Sequence, residues 1–212
     1  MKLPTPPLPD PPELEATCLS LAVLDAVLGP QWQYRTHSFD ASWSAGARMA
    51  SQRDGSGDDV FVVFEDAGVY VQGLAHESAM APPSEGRPAS AEMFAGLPPA
   101  MLCWLDEPAF GPRCCSFCLY WDVRSPGWHR CLDEGRDGAD VDGSAALLGI
   151  YAGGVQAYRE YAQDYFEVQL AESSVRSIYE QRALTDELIR ALNPEADVRA
   201  ARREASEMGY PG

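Results

Sequence analysis

The sequence predicts an α+β protein: a mostly antiparallel β-sheet, built as a meander plus a hairpin, with an N-terminal helix and a helical C-terminal third. Three observations carry this prediction. Apolar residues recur at helical steps between Glu13 and Leu28, period-two runs separated by turn residues fill the middle of the chain, and helical patterns occupy the end. Strand runs followed by helix runs, without β-α alternation, define the class.

The elements follow in order. Residues 3 to 12 hold six prolines, which favour an extended conformation and cannot donate backbone hydrogen bonds. Residues 1–12 are therefore expected to be a proline-rich flexible arm, and 13–212 a single α+β domain. Within it, 13–142 hold a helix and the antiparallel sheet, and 143–212 the helical part. Leu14, Cys18, Leu21, Val23, Leu24, Val27 and Leu28, with Gly29-Pro30 behind them, predict an amphipathic helix. The stretches "GARMASQ", "VFVVF" and "VYVQGL", punctuated by "RDGSGDD" and "EDAG", predict three strands near 46 to 52, 59 to 64 and 68 to 74. Residues 77 to 100, rich in Pro, Ser, Ala and Gly, predict a long loop with a short helical turn around Glu92 to Phe94.

A hairpin is expected from "CCSFCLYWDV" and "GWHRCL" joined by "RSPG". Beyond the acidic "DEGRDGADVDG", Tyr151, Tyr158, Tyr161 and Tyr165 fall on one helical face. Thr185 has the chemistry of an N-cap for "DELIRAL", Asn193-Pro194 that of the start of a last helix, and Gly209 that of its C′ residue.

Charge narrows the functions. Asp and Glu total 32 against 16 Lys and Arg, a formal net charge of -16, so long-range repulsion opposes nucleic acid and anionic membrane. A basic protein partner, or plain solvation, fits this balance. No secretory signal is read at the N-terminus, and the longest apolar stretch, "CLSLAVLDAVLG", is interrupted by Asp25, so no membrane span is expected. The six irregularly spaced cysteines agree with a reducing compartment, and a cytoplasmic location is predicted.

Four constellations could carry chemistry. Cys115 and Cys118 invite a zinc reading, but on a strand they point to opposite faces, while Cys114 and Cys118 share a face about 13 Å apart at roughly 3.3 Å per residue. At most one strand thiol could meet Cys131 or His129 across the hairpin, and the cysteines are expected to be small buried hydrophobes. Asp54, Ser56 and Asp58 resemble the first half of a calcium loop, but Asp59 stands where that loop requires glycine, so a hairpin connection is expected. His76 and Glu77 offer a neutral-pH base beside a carboxylate, but adjacent residues of an extended segment point apart, so a third group such as Asp122 or His37 would have to arrive from elsewhere. The glycine before them, Gly73, is read as a site of unusual backbone angles. Finally, Trp32, Tyr34, Trp43 and Trp128 are candidates for interface anchors. No metal and no cofactor is called for.

With "MASQRDGSGDD", "VFVVFEDAGVYVQGLAHES", "YAQDYFEV" and "LTDELIRALNPEA" in this order, the chain resembles a family of uncharacterised bacterial cytosolic proteins. The resemblance covers most of the chain apart from the proline-rich arm and the 81 to 95 loop, implies a bacterial, intracellular unit, and brings no functional residue with it. The function expected is that of a non-enzymatic acidic cytosolic protein binding a protein partner in a regulatory or immunity-like role. The alternative is a small hydrolase or transferase using His76 and Glu77, with Asp122, in a cleft beside the sheet.

Overall fold

In the computed structural model the chain is described over residues 8–82, 88–111, 113–132 and 141–211. Six strands, β1 (His37–Ser44), β2 (Ala47–Arg53), β3 (Asp59–Glu65), β4 (Gly68–Leu74), β5 (Phe117–Asp122) and β6 (Ser125–Arg130), pair antiparallel in sequence order as one meander. Helix α1 (Pro11–Leu28) precedes the sheet, and α2 (Ser144–Tyr165), α3 (Glu172–Tyr179), α4 (Asp186–Leu192) and α5 (Val198–Glu207) follow it. The fold is the α+β arrangement that the sequence predicts.

The sheet is covered on both faces. Val60, Val62 and Phe64 of β3 join Phe39, Val69, Val71, Phe117 and Leu119 in a core shared with the helices. Phe61 and Val63 point the other way, into a second cluster with Met49, Tyr70 and Cys118. A central strand buried on both sides has no polar face to show, which is why "VFVVF" reads as a continuous apolar run. What covers the second face is the end of the segment expected as a long loop, together with residues 101–110, for which no element is expected. It runs through short 3₁₀ turns at Ala91–Phe94, Pro99–Asp106 and Pro108–Phe110 and buries Met93, Leu97, Met101, Trp104, Leu105 and Phe110. Its prolines prevent a long α-helix without making it a solvent loop.

Helix α1 departs from the amphipathic reading. Pro11 and Pro12 occupy its first turn, where their missing N–H groups cost nothing. Beyond Leu14 its residues are buried nearly all round, including Thr17, Ser20 and Asp25, as expected of a central helix. Leu21, Val23 and Leu24 are fully buried, each contributing about 1.5–3 kcal/mol. This sum accommodates one buried carboxylate, provided that the carboxylate is hydrogen-bonded. Of the expected arm, residues 1–7 lie outside the described residues, while Leu8 is buried and the Pro9 carbonyl accepts from Trp128 Nε1 at 2.9 Å. The arm is thus packed from Leu8 onward.

Strand β1 was not foreseen. Its register against β2 shifts between Asp40 and Ser44, so Phe39 packs in the helical core while Trp43 stacks on Phe110 in the other one. A bulge that switches faces hides the alternation that marks a strand. Two further expectations are corrected at the C-terminal end and at Gly73. The last helix is capped by Asp197, whose carboxylate accepts from Arg199 and Ala200 N–H, whereas Asn193 accepts from the Glu195 amide at 3.0 Å in the turn before it and donates to the Val27 carbonyl at 2.9 Å. Gly73 is not in the left-handed region; it pairs with Phe117 across β4 and β5, and a Cβ there would lie 2.0 Å from that ring. Thr185 does cap α4, accepting from the Leu188 amide.

Candidate interaction surface

Among the buried polar networks of the described residues, one gathers Arg130, Ser116 and Ser144 on Asp142, and another, beneath the exposed turn that follows α1, is centred on the fully buried Asp25. Its Oδ2 accepts from the Thr36 amide (3.1 Å), the His37 amide (2.9 Å) and His37 Nδ1 (3.0 Å). Its Oδ1 accepts from the Tyr158 hydroxyl at 2.9 Å, and the Tyr161 hydroxyl lies 3.4 Å from Oδ2. Burial, and then the charge of Asp25, push the Tyr158 and Tyr161 phenols well above the usual tyrosine range. Both phenols therefore stay protonated and serve as donors. Because a carboxylate only accepts, the His37 proton sits on Nδ1, and the ring stands edge-on to Tyr161 at 5.1 Å.

The hub fixes a surface turn. The Asp25 carbonyl accepts from the Gly29 amide at 2.8 Å, and its carboxylate takes the amides of Thr36 and His37, so both ends of the 29–36 connection close on one residue. Arg35, with 6% of its side chain exposed, tightens the loop from within. Its Nε donates to the Gly29 carbonyl at 2.6 Å, and its guanidinium pairs with Glu204 of α5 at 2.5 Å. Tyr165, at the end of α2, stacks on Tyr161 and donates its hydroxyl to the Tyr34 carbonyl at 2.9 Å.

On top of this frame sits the 3₁₀ turn Trp32–Tyr34, in which no residue is buried. Trp32 is 73% exposed, Tyr34 58% and Tyr165 44%, three of the five exposed large hydrophobic residues among those described. Trp32 stands on a ridge between two concavities. One, of about 500 Å³, is lined by Pro30, Phe39 and Met208 and by three carboxylates, Asp40, Glu204 and Glu207, against the single guanidinium of Arg35. The other, of about 220 Å³, runs from Gln33 and Ser38 to Asp54 and Tyr165. Rigid exposed aromatics beside a carboxylate-lined hollow can anchor a partner and select a cationic one.

The four aromatic candidates thus divide. Trp32 and Tyr34 are brought together on this surface. Trp43 is half-buried against Phe110, and half-buried Trp128 stands edge-on to Trp121 with its N–H bound to Pro9.

The His76 candidates do not assemble as expected. His76 Nδ1 lies 2.7 Å from Asp58 Oδ1, which also accepts the His76 amide at 2.9 Å, while Glu77 is 90% exposed and 3.9 Å from Nε2. Asp122 pairs with Gly68 at one end of β4 and His76 follows Leu74 at the other, about 20 Å of strand away. Its carboxylate is held by Arg124 at 3.0 Å. His37 belongs to the Asp25 hub. The third group is therefore Asp58, which the sequence reading had assigned to a turn.

The Asp54 turn and the cysteines remain. Asp54 accepts from the Ser56 amide (2.8 Å) and hydroxyl (2.6 Å) and from the Asp58 amide (3.2 Å), which is the hairpin connection expected in place of a calcium loop. For the cysteines the opposite-face argument does not apply, because β5 begins at Phe117. Cys115 precedes the strand and is buried in the same cluster as Cys118 and Cys131. Among the described residues no group of three or more His, Cys, Asp or Glu is placed to hold a metal ion.

The fold and this surface define an α+β protein with a rigid aromatic and acidic face. Comparison with protein-family models, with curated proteins and with solved structures returns no match in any of the three.

Proposed function

We propose that the chain is a non-enzymatic, cytoplasmic binding protein that engages a basic protein partner through Trp32 and Tyr34 and the carboxylate-lined hollow beside them. The observation that carries this reading is Trp32, 73% exposed on a turn closed at both ends by buried hydrogen bonds. An exposed tryptophan on a mobile loop would have to be ordered on binding, whereas one held in place loses little entropy. Asp40, Glu204 and Glu207 beside it, and the net charge of -16, give the approach a sign. A regulatory or immunity-like role, in which an acidic protein masks a basic one, follows from this chemistry. Among the described residues no helix is long and apolar enough to cross a membrane.

The enzyme reading keeps one observation in its favour, the Asp58 carboxylate that holds His76 Nδ1. Glu77, however, is 90% exposed and lies 3.9 Å from Nε2, and Asp122 stands at the far end of β4.

The test is affinity capture from native cytosol at low and then moderate salt, with the unaltered chain, Trp32→Ala and Tyr34→Ala in parallel. A stoichiometric basic protein that is held at low salt, released at moderate salt and lost with Trp32→Ala supports the reading. Capture unaffected by both substitutions, or a partner indifferent to salt, sinks it.

A further inference from the structure

Cys118 lies within β5, and Cys131 directly follows β6. The pairing of Leu119 with Arg130 continues by one step, with the Cys131 amide donating to the Cys118 carbonyl at 3.0 Å. Their sulfurs stand 3.1 Å apart, and both thiols are free. Directly opposed residues of a hydrogen-bonded antiparallel pair have Cα atoms about 5.5 Å apart, inside the span that a disulfide bridges. An S–S bond of about 2.05 Å therefore needs the sulfurs to close by roughly 1 Å, through side-chain rotation together with a small approach of the end of β6 to β5. The pair is also sheltered. Cys118 is 1% exposed and Cys131 6%, in a cluster with Tyr70, Phe61 and Cys115.

We infer that Cys118 and Cys131 form an oxidisable dithiol that a hydroperoxide converts to a cross-strand disulfide between β5 and the end of β6. Cys131 is the sulfur oxidised first, because it is the more exposed of the two and lies just past the edge strand of the sheet. Its thiolate attacks the peroxide oxygen, the O–O bond breaks, and the hydroxide (or, from an organic hydroperoxide, the alkoxide) takes up the proton that the thiol released and leaves as water (or an alcohol), which makes Cys131 a sulfenic acid. The Cys118 sulfur then attacks the Cys131 sulfur. The S–S bond forms, the S–O bond breaks, and the hydroxyl departs as water with the Cys118 proton. The two sulfurs lose two electrons, and the peroxide gains them. Burial keeps the Cys118 thiol protonated, well above the ordinary thiol range, until its partner has been oxidised. The product ties the outermost hairpin shut.

The experiment uses the full chain with Cys103→Ser and Cys114→Ser, which remove the exposed and half-buried thiols that would cross-link chains. The folded protein is treated with hydrogen peroxide, alkylated under denaturing conditions and mapped by mass spectrometry. The expected result is a loss of two hydrogens per chain, alkylation of Cys18 and Cys115 only, and a linked peptide pair carrying Cys118 and Cys131, all reversed by a dithiol reductant. In a Cys118→Ser background a sulfenic acid trap should label Cys131. Full alkylation of all four remaining thiols, or a linkage through Cys115, overturns the inference. Should Cys118→Ser fail to fold, the peptide map of the parent decides alone.

Discussion

The hydroxyl of Tyr165 donates to the carbonyl of Tyr34 at 2.9 Å, joining residues 131 positions apart in sequence. It fastens the exposed turn to α2 at a point that the Asp25 hub does not reach. Tyr165→Phe keeps the ring stacked on Tyr161 and removes only that bond, worth about 0.5–1.5 kcal/mol. Amide exchange at residues 32 to 35 should speed up while the melting temperature barely moves. Unchanged exchange at these amides would mean that the turn is held entirely from below.

Trp32→Ala should be the most costly surface substitution for partner binding, at about 2 kcal/mol or more if the residue is a central anchor. Its effect on folding should be small, because 73% of the residue is already in water. Titration of the captured partner against both proteins measures the first quantity, and a denaturant midpoint the second. A loss of stability as large as the loss of binding would make the side chain structural.

Asp25→Ala strips the acceptor from two backbone amides, the His37 ring and two tyrosine hydroxyls in one step. Leaving buried partners of a charged group unpaired costs about 3–5 kcal/mol. Urea denaturation should show that loss, and near-ultraviolet dichroism of the tyrosines should change with it. A loss under about 1 kcal/mol would mean that water enters and replaces the carboxylate.

The residues that proved decisive were readable to different degrees. Helix α1 and strand β3 declared themselves as apolar runs closed by turn residues, and the neighbouring strands and the β5–β6 hairpin through their β-rich composition and the turn residues between them. Strand β1 was hidden by its bulge, and the start of the layer over the second face, within the 77 to 100 stretch, by prolines that read as loop although Met93, Phe94 and Leu97 are buried. At the surface, the exposed pair Trp32 and Tyr34 was nameable from an aromatic cluster in a polar stretch, but what holds it was not. Asp25 and Tyr158 are 133 residues apart, and no local pattern brings them together. One signal was available. A single carboxylate inside an otherwise apolar helix must find donors, and Asp25, which interrupts the hydrophobic run "CLSLAVLDAVLG", is such a carboxylate.

His76 offers a pH test. Its hydrogen bond to Asp58, and then the charges of Asp58, Glu77 and Asp54, raise its pKa above the ordinary histidine range against a smaller opposing effect of desolvation. A folded value above the unfolded one stabilises the protein fully below the ordinary value of about 6.5, and that contribution is lost as pH rises through the raised folded value. The group is exposed, so the change in stability should be slight. The shift itself should be plain in an NMR titration of the ring, and Asp58→Asn should return it to the ordinary range. Partner capture should be indifferent to His76→Ala, and its loss would move the interaction site to this end of the sheet.

Gly73→Ala tests the packing beneath that same end. The glycine lies opposite Phe117 in a buried cross-strand pair, and the added methyl would sit 2.0 Å from the ring's Cζ and 2.5 Å from Cε1. Both contacts are far inside van der Waals range, so the ring must swing away. Phe117 is 1% exposed in the same core cluster as Val60, Val71 and Leu119, so a displaced ring must push against buried neighbours. Overpacking of this kind costs about 1–3 kcal/mol. Because the backbone at this position is ordinary for any residue, the whole loss should come from the ring. Gly73→Ala combined with Phe117→Leu should therefore recover part of the stability that Gly73→Ala removes, measured as denaturant midpoints of the single and double variants. Strictly additive losses would mean that the methyl is accommodated by a shift of β4 rather than by displacement of Phe117.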